Sequence, residues 1–180
     1  MRIVVIGGPR TGKTTYATKL ARQLGAHLAS TGKRTEDESG LVSTDNYMRR
    51  ANWGTLPDVV LKDLKNRENW VLEGTQAARV LRRALKEDPT FKVDKVLVFN
   101  RPWVARNTGQ EAMAKGVKTI LKDMAPLLEK AGIEVEHMTP PQMTEEDWRE
   151  HRSEKLAEAA CQDIGTAAIA LAEPSEQNTD

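Results

Sequence analysis

The sequence predicts an α/β fold, a three-layer sandwich with a mostly parallel central sheet and helices on both faces. Three observations predict it. Short apolar segments alternate with helical periodicities along the chain, and no repeat of fixed period interrupts them. The first segment, Arg2 to Ile6, is apolar on consecutive residues, as a strand covered on both faces is. A glycine-rich turn follows it directly, at a strand-to-helix junction of the kind where such sheets take ligands.

The elements follow in order. Arg2 to Ile6 is the first strand. Thr14 to Leu24 reads as a helix, because Tyr16, Ala17, Leu20, Ala21 and Leu24 recur at helical spacing, and Gly25 supplies a stop. His27 to Ser30 and Leu41 to Thr44 are strand-like pieces on either side of a polar loop, residues 31–40. Leu56 to Leu64 is helical, and Trp70 to Leu72 is a short buried strand that ends in Glu73 and Gly74. Gln76 to Lys86 is a helix with Ala78, Val80, Leu81 and Leu85 on its apolar side. Val93 to Phe99 is a strand that Asn100, Arg101 and Pro102 terminate. From Thr108 a helix carries Ala112, Met113, Val117, Ile120, Leu121 and Met124 on one stripe, and Pro126 kinks it or opens a new segment. Ile133 to Met138 is the last strand, followed by Thr139, Pro140 and Pro141. The run Thr144 to Asp147 resembles a capping box and starts a long C-terminal helix. The reading is one domain over residues 1–172, then a polar tail over 173–180.

The bulk numbers exclude several classes. A chain of 180 residues buries a core without staples. Its 27 basic and 26 acidic side chains leave a formal charge of +1, so any basic surface for a polyanion is local. Cys161 is the only cysteine, which removes internal disulfides and cysteine-based zinc sites, and His27, His137 and His151 lack metal-ligand spacing. No stretch approaches the roughly 20 apolar residues of a membrane span, and the N-terminus lacks a signal-peptide core. A reducing cytoplasm is the expected compartment.

The turn itself carries the chemistry. Gly7, Gly8, Pro9, Arg10, Thr11, Gly12, Lys13 and Thr14 match G-x-x-x-x-G-K-[ST] without a mismatch, and Thr15 follows. Glycines let successive amides turn inward as an anion nest, and the helix N-terminus adds its positive dipole end. Lys13 reaches the β- and γ-phosphates of ATP, and the Thr14 hydroxyl is a ligand for Mg²⁺. The motif makes the fold class that of P-loop NTPases.

Two acids stand at predicted strand ends. Asp45 is positioned to accept or orient the proton of an attacking hydroxyl, or else serves as a helix N-cap or Asx-turn. Glu73 either holds Mg²⁺ through water or contacts the acceptor, with a polar loop anchor as the plain alternative. The fourth strand ends in Asn100, so the Asp that motor-type ATPases place there is missing. Arg101 and Arg106, with Lys115 beyond them, flank the start of the long helix. The arrangement resembles that of small P-loop kinases, in which the segment before this helix is a lid whose arginines steady the transferring phosphoryl group. Arg79, Arg82 and Arg83 follow Glu73, and Arg79 is the nearest of them to it. Trp53 and Trp103 lie in loop-like segments and either stack on a base or pack over the core edge.

These features together resemble the small P-loop kinases, the superfamily of nucleoside monophosphate and polynucleotide kinases. The segment Ser43, Thr44, Asp45, Asn46, Tyr47 resembles the second-strand motif of small phage polynucleotide kinases, in which the Asp is the general base. The arginine that follows the Tyr there is displaced here to Arg49 or Arg50. The stretch Thr108 to Val117, after Arg101, Pro102 and Trp103, looks like phage-encoded kinases of 5-hydroxymethyluracil in DNA. That resemblance implies ATP and DNA as partners, with Arg79, Trp53 and Trp103 on the substrate side. The likeness to nucleotide kinases implies contact of the adenine with the Thr139 to Pro141 segment. A free nucleoside or nucleotide, a small metabolite or a 5′-hydroxyl end is the alternative acceptor, and a switch or assembly ATPase is the alternative class.

Overall fold

The computed structural model describes residues 1–30, 40–48 and 51–138. Five parallel strands form one sheet in the order β2-β3-β1-β4-β5. They are β1 (Arg2–Gly7), β2 (Leu41–Ser43), β3 (Trp70–Glu73), β4 (Lys95–Phe99) and β5 (Glu134–Met138). The helices are α1 (Lys13–Ser30), α2 (Thr44–Tyr47), α3 (Leu56–Lys65), α4 (Ala77–Glu87) and α5 (Thr108–Lys130). The fold class is the one the sequence predicts, with every described strand parallel.

Side chains alternate across the sheet and build two cores. Val4, Ile6, Leu72, Val96 and Val98 point to the face covered by α3, α4 and α5, where Val60, Leu81, Val117 and Met124 meet them. Ile3, Val5, Val71, Leu97 and Phe99 point to the other face and pack on Ala17, Ala21 and Leu24 of α1. Strands apolar on both faces are what a doubly covered parallel sheet requires.

Strand order decides where a ligand fits. β1 leads through α1 toward the β2 and β3 side, whereas its neighbour β4 leads through α5 toward β5. Connections that leave two adjacent strands in opposite directions open a crevice beyond their carboxyl ends. The glycine-rich turn follows β1, and residues 100–107 follow β4, so both lie at that crevice. Asp45, just past the end of β2, and Glu73, the last residue of β3, lie at the same edge.

Three expectations about elements need correction. His27 to Ser30 is the last turn of α1 and not a strand, because Gly25 is buried with ordinary helical φ and the helix continues through it. Ala26, Leu28 and Ala29 are residues that a helix accommodates well. Thr44 is the first residue of α2 rather than the end of a strand, and that four-residue helix places Asp45 in its first turn. Of the two readings of Pro126, a kink or a new segment, the second falls, because Pro126 lies inside α5. It sits on the solvent face, where the carbonyl that it deprives of a partner is not shut away in the core. The Thr139 to Pro141 segment, Arg49, Arg50, the helix expected from Thr144 and the tail over 173–180 lie outside the described residues. Among the described residues no helix is long and apolar enough to cross a membrane.

Candidate phosphate and acceptor site

The turn between β1 and α1 has the backbone of an anion nest. Arg10 and Gly12 adopt positive φ, 59° and 76°, so left-handed residues alternate with right-handed ones. Four carbonyls along it accept hydrogen bonds. Gly8 O accepts from the Thr11 hydroxyl at 3.0 Å, and Pro9 O accepts from Arg106 Nε at 2.8 Å. Arg10 O accepts from the Trp103 amide at 2.8 Å, and Gly12 O from the Tyr16 amide at 3.1 Å. The amides of Arg10 through Thr15 donate to no acceptor among the described residues. Carbonyls turned out and amides left free is the arrangement that receives an anion, and the N-terminus of the 18-residue α1 reinforces it.

Two cations stand beside these amides. Lys13 is buried, and burial lowers the pKa of its ammonium below the ordinary 10.5. Glu73 and Asp45 work against that shift, and Arg106 adds to it. Arg106 is nearly buried as well, with its side chain only 5% exposed and a 3.7 Å pairing to the exposed Glu111. Its guanidinium lies against Gly8, where a Cβ would stand 3.0 Å from Nη2. Two buried, mutually repelling cations at a row of unengaged amides are relieved by a polyanion.

The acids are joined to the same place. The Glu73 carboxylate is fully buried and accepts from Thr14 Oγ1 at 3.0 Å and from the Ser43 hydroxyl. Strand register delivers this pairing, since Ser43 stands beside Glu73 across β2 and β3. Asp45 is exposed in the first turn of α2, with Oδ1 over Gly74 and close enough to Lys13 to act on its charge. Gly74 allows this approach, because φ is +121° and a Cβ there would fall 2.0 Å from Thr44 Oγ1.

The predicted lid divides. Residues 101–107 form a strap that runs to the capped start of α5, where Asn107 and Gln110 exchange side-chain and backbone bonds at 2.9 and 3.2 Å. From this strap Arg106 and Trp103 meet the nest, and the Trp103 indole covers Gly12. Arg101 is exposed, and no hydrogen bond or ion pair ties it to another described residue. Lys115 is exposed on α5.

On the other side, Arg79 lies not on Glu73 but over Trp53, with Cζ 5.7 Å from the ring centroid. Arg82 pairs with Asp123, and Arg83 with Asp58 and Glu87, so these two are surface ion pairs.

Sequence reasoning missed Ser43 as a partner of Glu73 and Trp103 as a cover of the nest. Parallel register could have suggested the first, whereas the second depends on a loop geometry that no periodicity encodes.

Mg²⁺ takes hard oxygen donors, few of them from protein. The Thr14 hydroxyl and the Glu73 carboxylate fit that preference, and their contact brings together the two groups the sequence selects for it. Among the described residues no group of three or more His, Cys, Asp or Glu side chains could hold a metal. A site with few protein ligands needs none.

No protein-family model matches the chain, and no curated protein matches it. Among solved structures, a shikimate kinase from Acinetobacter baumannii in complex with shikimate is similar at 17% identity and a TM-score of 0.38. The match covers 92% of this chain and 93% of that one.

Proposed function

We propose that the chain is an ATP-dependent kinase that transfers the γ-phosphoryl group to a hydroxyl. The observation that carries this reading is the row of unengaged amides from Arg10 to Thr15 beside the buried Lys13 and Arg106. Gly7 to Thr15 hold the triphosphate, and Lys13 and Arg106 balance the charge on its transferring group. Thr14 and Glu73 would hold Mg²⁺, which neutralises phosphate charge when bound. Asp45 takes the acceptor's hydroxyl proton. The acceptor oxygen forms its bond to the γ-phosphorus as the bond to the β–γ bridging oxygen breaks, and ADP leaves with that electron pair. Trp53 and Arg79 lie on the acceptor side, and Arg101 is an exposed cation at the strap.

The finer reading is the hydroxymethyl group of 5-hydroxymethyluracil in DNA. The likeness of the Thr108 to Val117 segment supports it, and so does the exposed Trp53–Arg79 pair, which offers an aromatic face for a base and a cation for its phosphate. Labelled phosphate from ATP is expected on hydroxymethyluracil DNA and not on thymine DNA. Labelling of a free nucleoside or small metabolite, insensitive to added DNA, would keep the kinase and remove the DNA acceptor. ATP hydrolysis with no phosphorylated product from any hydroxyl compound would remove the kinase.

The lowered Lys13 pKa gives a pH dependence with a definite sign. Polyphosphate favours the charged ammonium, so the pKa of Lys13 rises when ATP binds. Affinity is then complete below the ligand-free pKa and falls as pH rises from that value toward the higher bound one. Calorimetry in buffers of different ionisation enthalpy should register proton uptake on ATP binding within that alkaline window. No uptake, or tighter binding at higher pH, would show that Lys13 does not carry the triphosphate.

A further inference from the structure

Two successive carbonyls of the nest, those of Pro9 and Arg10, are held by one strap. Arg106 Nε donates to the first and the Trp103 amide to the second, each at 2.8 Å. The Trp103 indole then closes on Gly12, where an added Cβ would stand 3.0 Å from Cε2 and Nε1. A peptide unit has its N–H opposite its C=O. Fixing the carbonyls of Pro9 and Arg10 therefore fixes where the amides of Arg10 and Thr11 point. Arg10 is also a non-glycine residue at φ 59°, a conformation that a free loop leaves readily and that surrounding contacts must hold.

We propose that Trp103 and the Nε of Arg106 are positioning residues that keep the P-loop amides aimed at the triphosphate. This inference rests on the polyphosphate reading of the site. It assigns Arg106 two tasks on different atoms. Nε orients the turn, and Nη2, which lies against Gly8, faces the anion, while Nη1 is on the Glu111 side. It also gives Trp103 a task at the phosphates rather than at a nucleobase, and it makes affinity for the phosphate chain depend on a segment that follows β4.

The test measures binding of Mg-tripolyphosphate, Mg-ATP and adenosine to the full chain and to Trp103→Ala, Trp103→Phe and Arg106→Lys. Keeping the charge at 106 while losing Nε is expected to weaken tripolyphosphate and ATP by a similar factor of roughly 10 to 100, the size of one lost charge-assisted hydrogen bond. Removing the indole, which leaves the Trp103 amide in place but uncovers Gly12, is expected to weaken both by a smaller common factor. Adenosine affinity should stay within about twofold, and Trp103→Phe should restore most of the loss. A loosened fold would instead weaken all three ligands together and lower Tm. That pattern, unchanged tripolyphosphate affinity, or tighter binding in Trp103→Ala would each overturn the assignment. Failure of the unmodified chain to bind tripolyphosphate at all would overturn the phosphate reading and this inference with it.

Discussion

Replacement of Asp45 by asparagine is expected to slow phosphoryl transfer by about 10²- to 10⁴-fold, the usual contribution of a positioned proton acceptor. ATP affinity near neutral pH should change by less than about threefold, because Asp45 lies outside the nest and is exposed. The geometry behind this is specific. α2 turns Asp45 over Gly74, beside the end of β3, and within electrostatic reach of Lys13. The Lys13 link adds a readout independent of turnover. Asp45 raises the Lys13 pKa, so its neutralisation lets that pKa fall further, and the alkaline loss of ATP affinity should begin at lower pH in the variant. Steady-state transfer and ATP titrations across pH check both parts. Turnover close to that of the native chain would make Asp45 a first-turn helix residue and nothing more.

Replacement of Gly74 by alanine is expected to destabilise the fold by about 2–5 kcal/mol. Two effects add. A side chain at φ +121° is strained by about 1–3 kcal/mol, and a Cβ 2.0 Å from the buried Thr44 Oγ1 forces a shift of comparable expense. Chemical denaturation should report the loss, and the Thr44→Ala background separates the contributions. That background removes the hydroxyl but not the backbone strain, so Gly74→Ala should be milder there. A loss below about 0.5 kcal/mol in the native background would mean that β3 and α2 are not held this closely. Because Asp45 Oδ1 would be only 3.3 Å from the new methyl, transfer should fall even where the protein remains folded.

Much of this was legible in the sequence, for physical reasons. Strands buried on both faces read as near-continuous apolar runs, so β1, β3 and β4 declare themselves without tertiary context. The glycine-rich turn between β1 and α1 was legible because amide geometry restricts which residues can form it. The last turn of α1 was not, because glycine ends helices only where it adopts positive φ, and Gly25 does not. The short α2 was also missed, since four residues carry no periodicity. Among the site residues, Thr14 and Glu73 were selected separately and prove to be hydrogen-bonded. Arg79 was assigned by closeness in sequence to Glu73, yet its direction along α4 takes it to Trp53. Arg101 and Arg106 were read as equals, whereas packing buries only the second.

The Glu73 carboxylate touches the first turn of α1 through Thr14 and the end of β2 through Ser43. A cosubstrate that pulls on one hydroxyl is therefore felt at the other, one residue from Thr44 and two from Asp45. Thermodynamic linkage makes such an influence reciprocal. Whatever factor the nucleotide confers on acceptor affinity, the acceptor must confer on the nucleotide, so the two are expected to bind cooperatively rather than as independent guests.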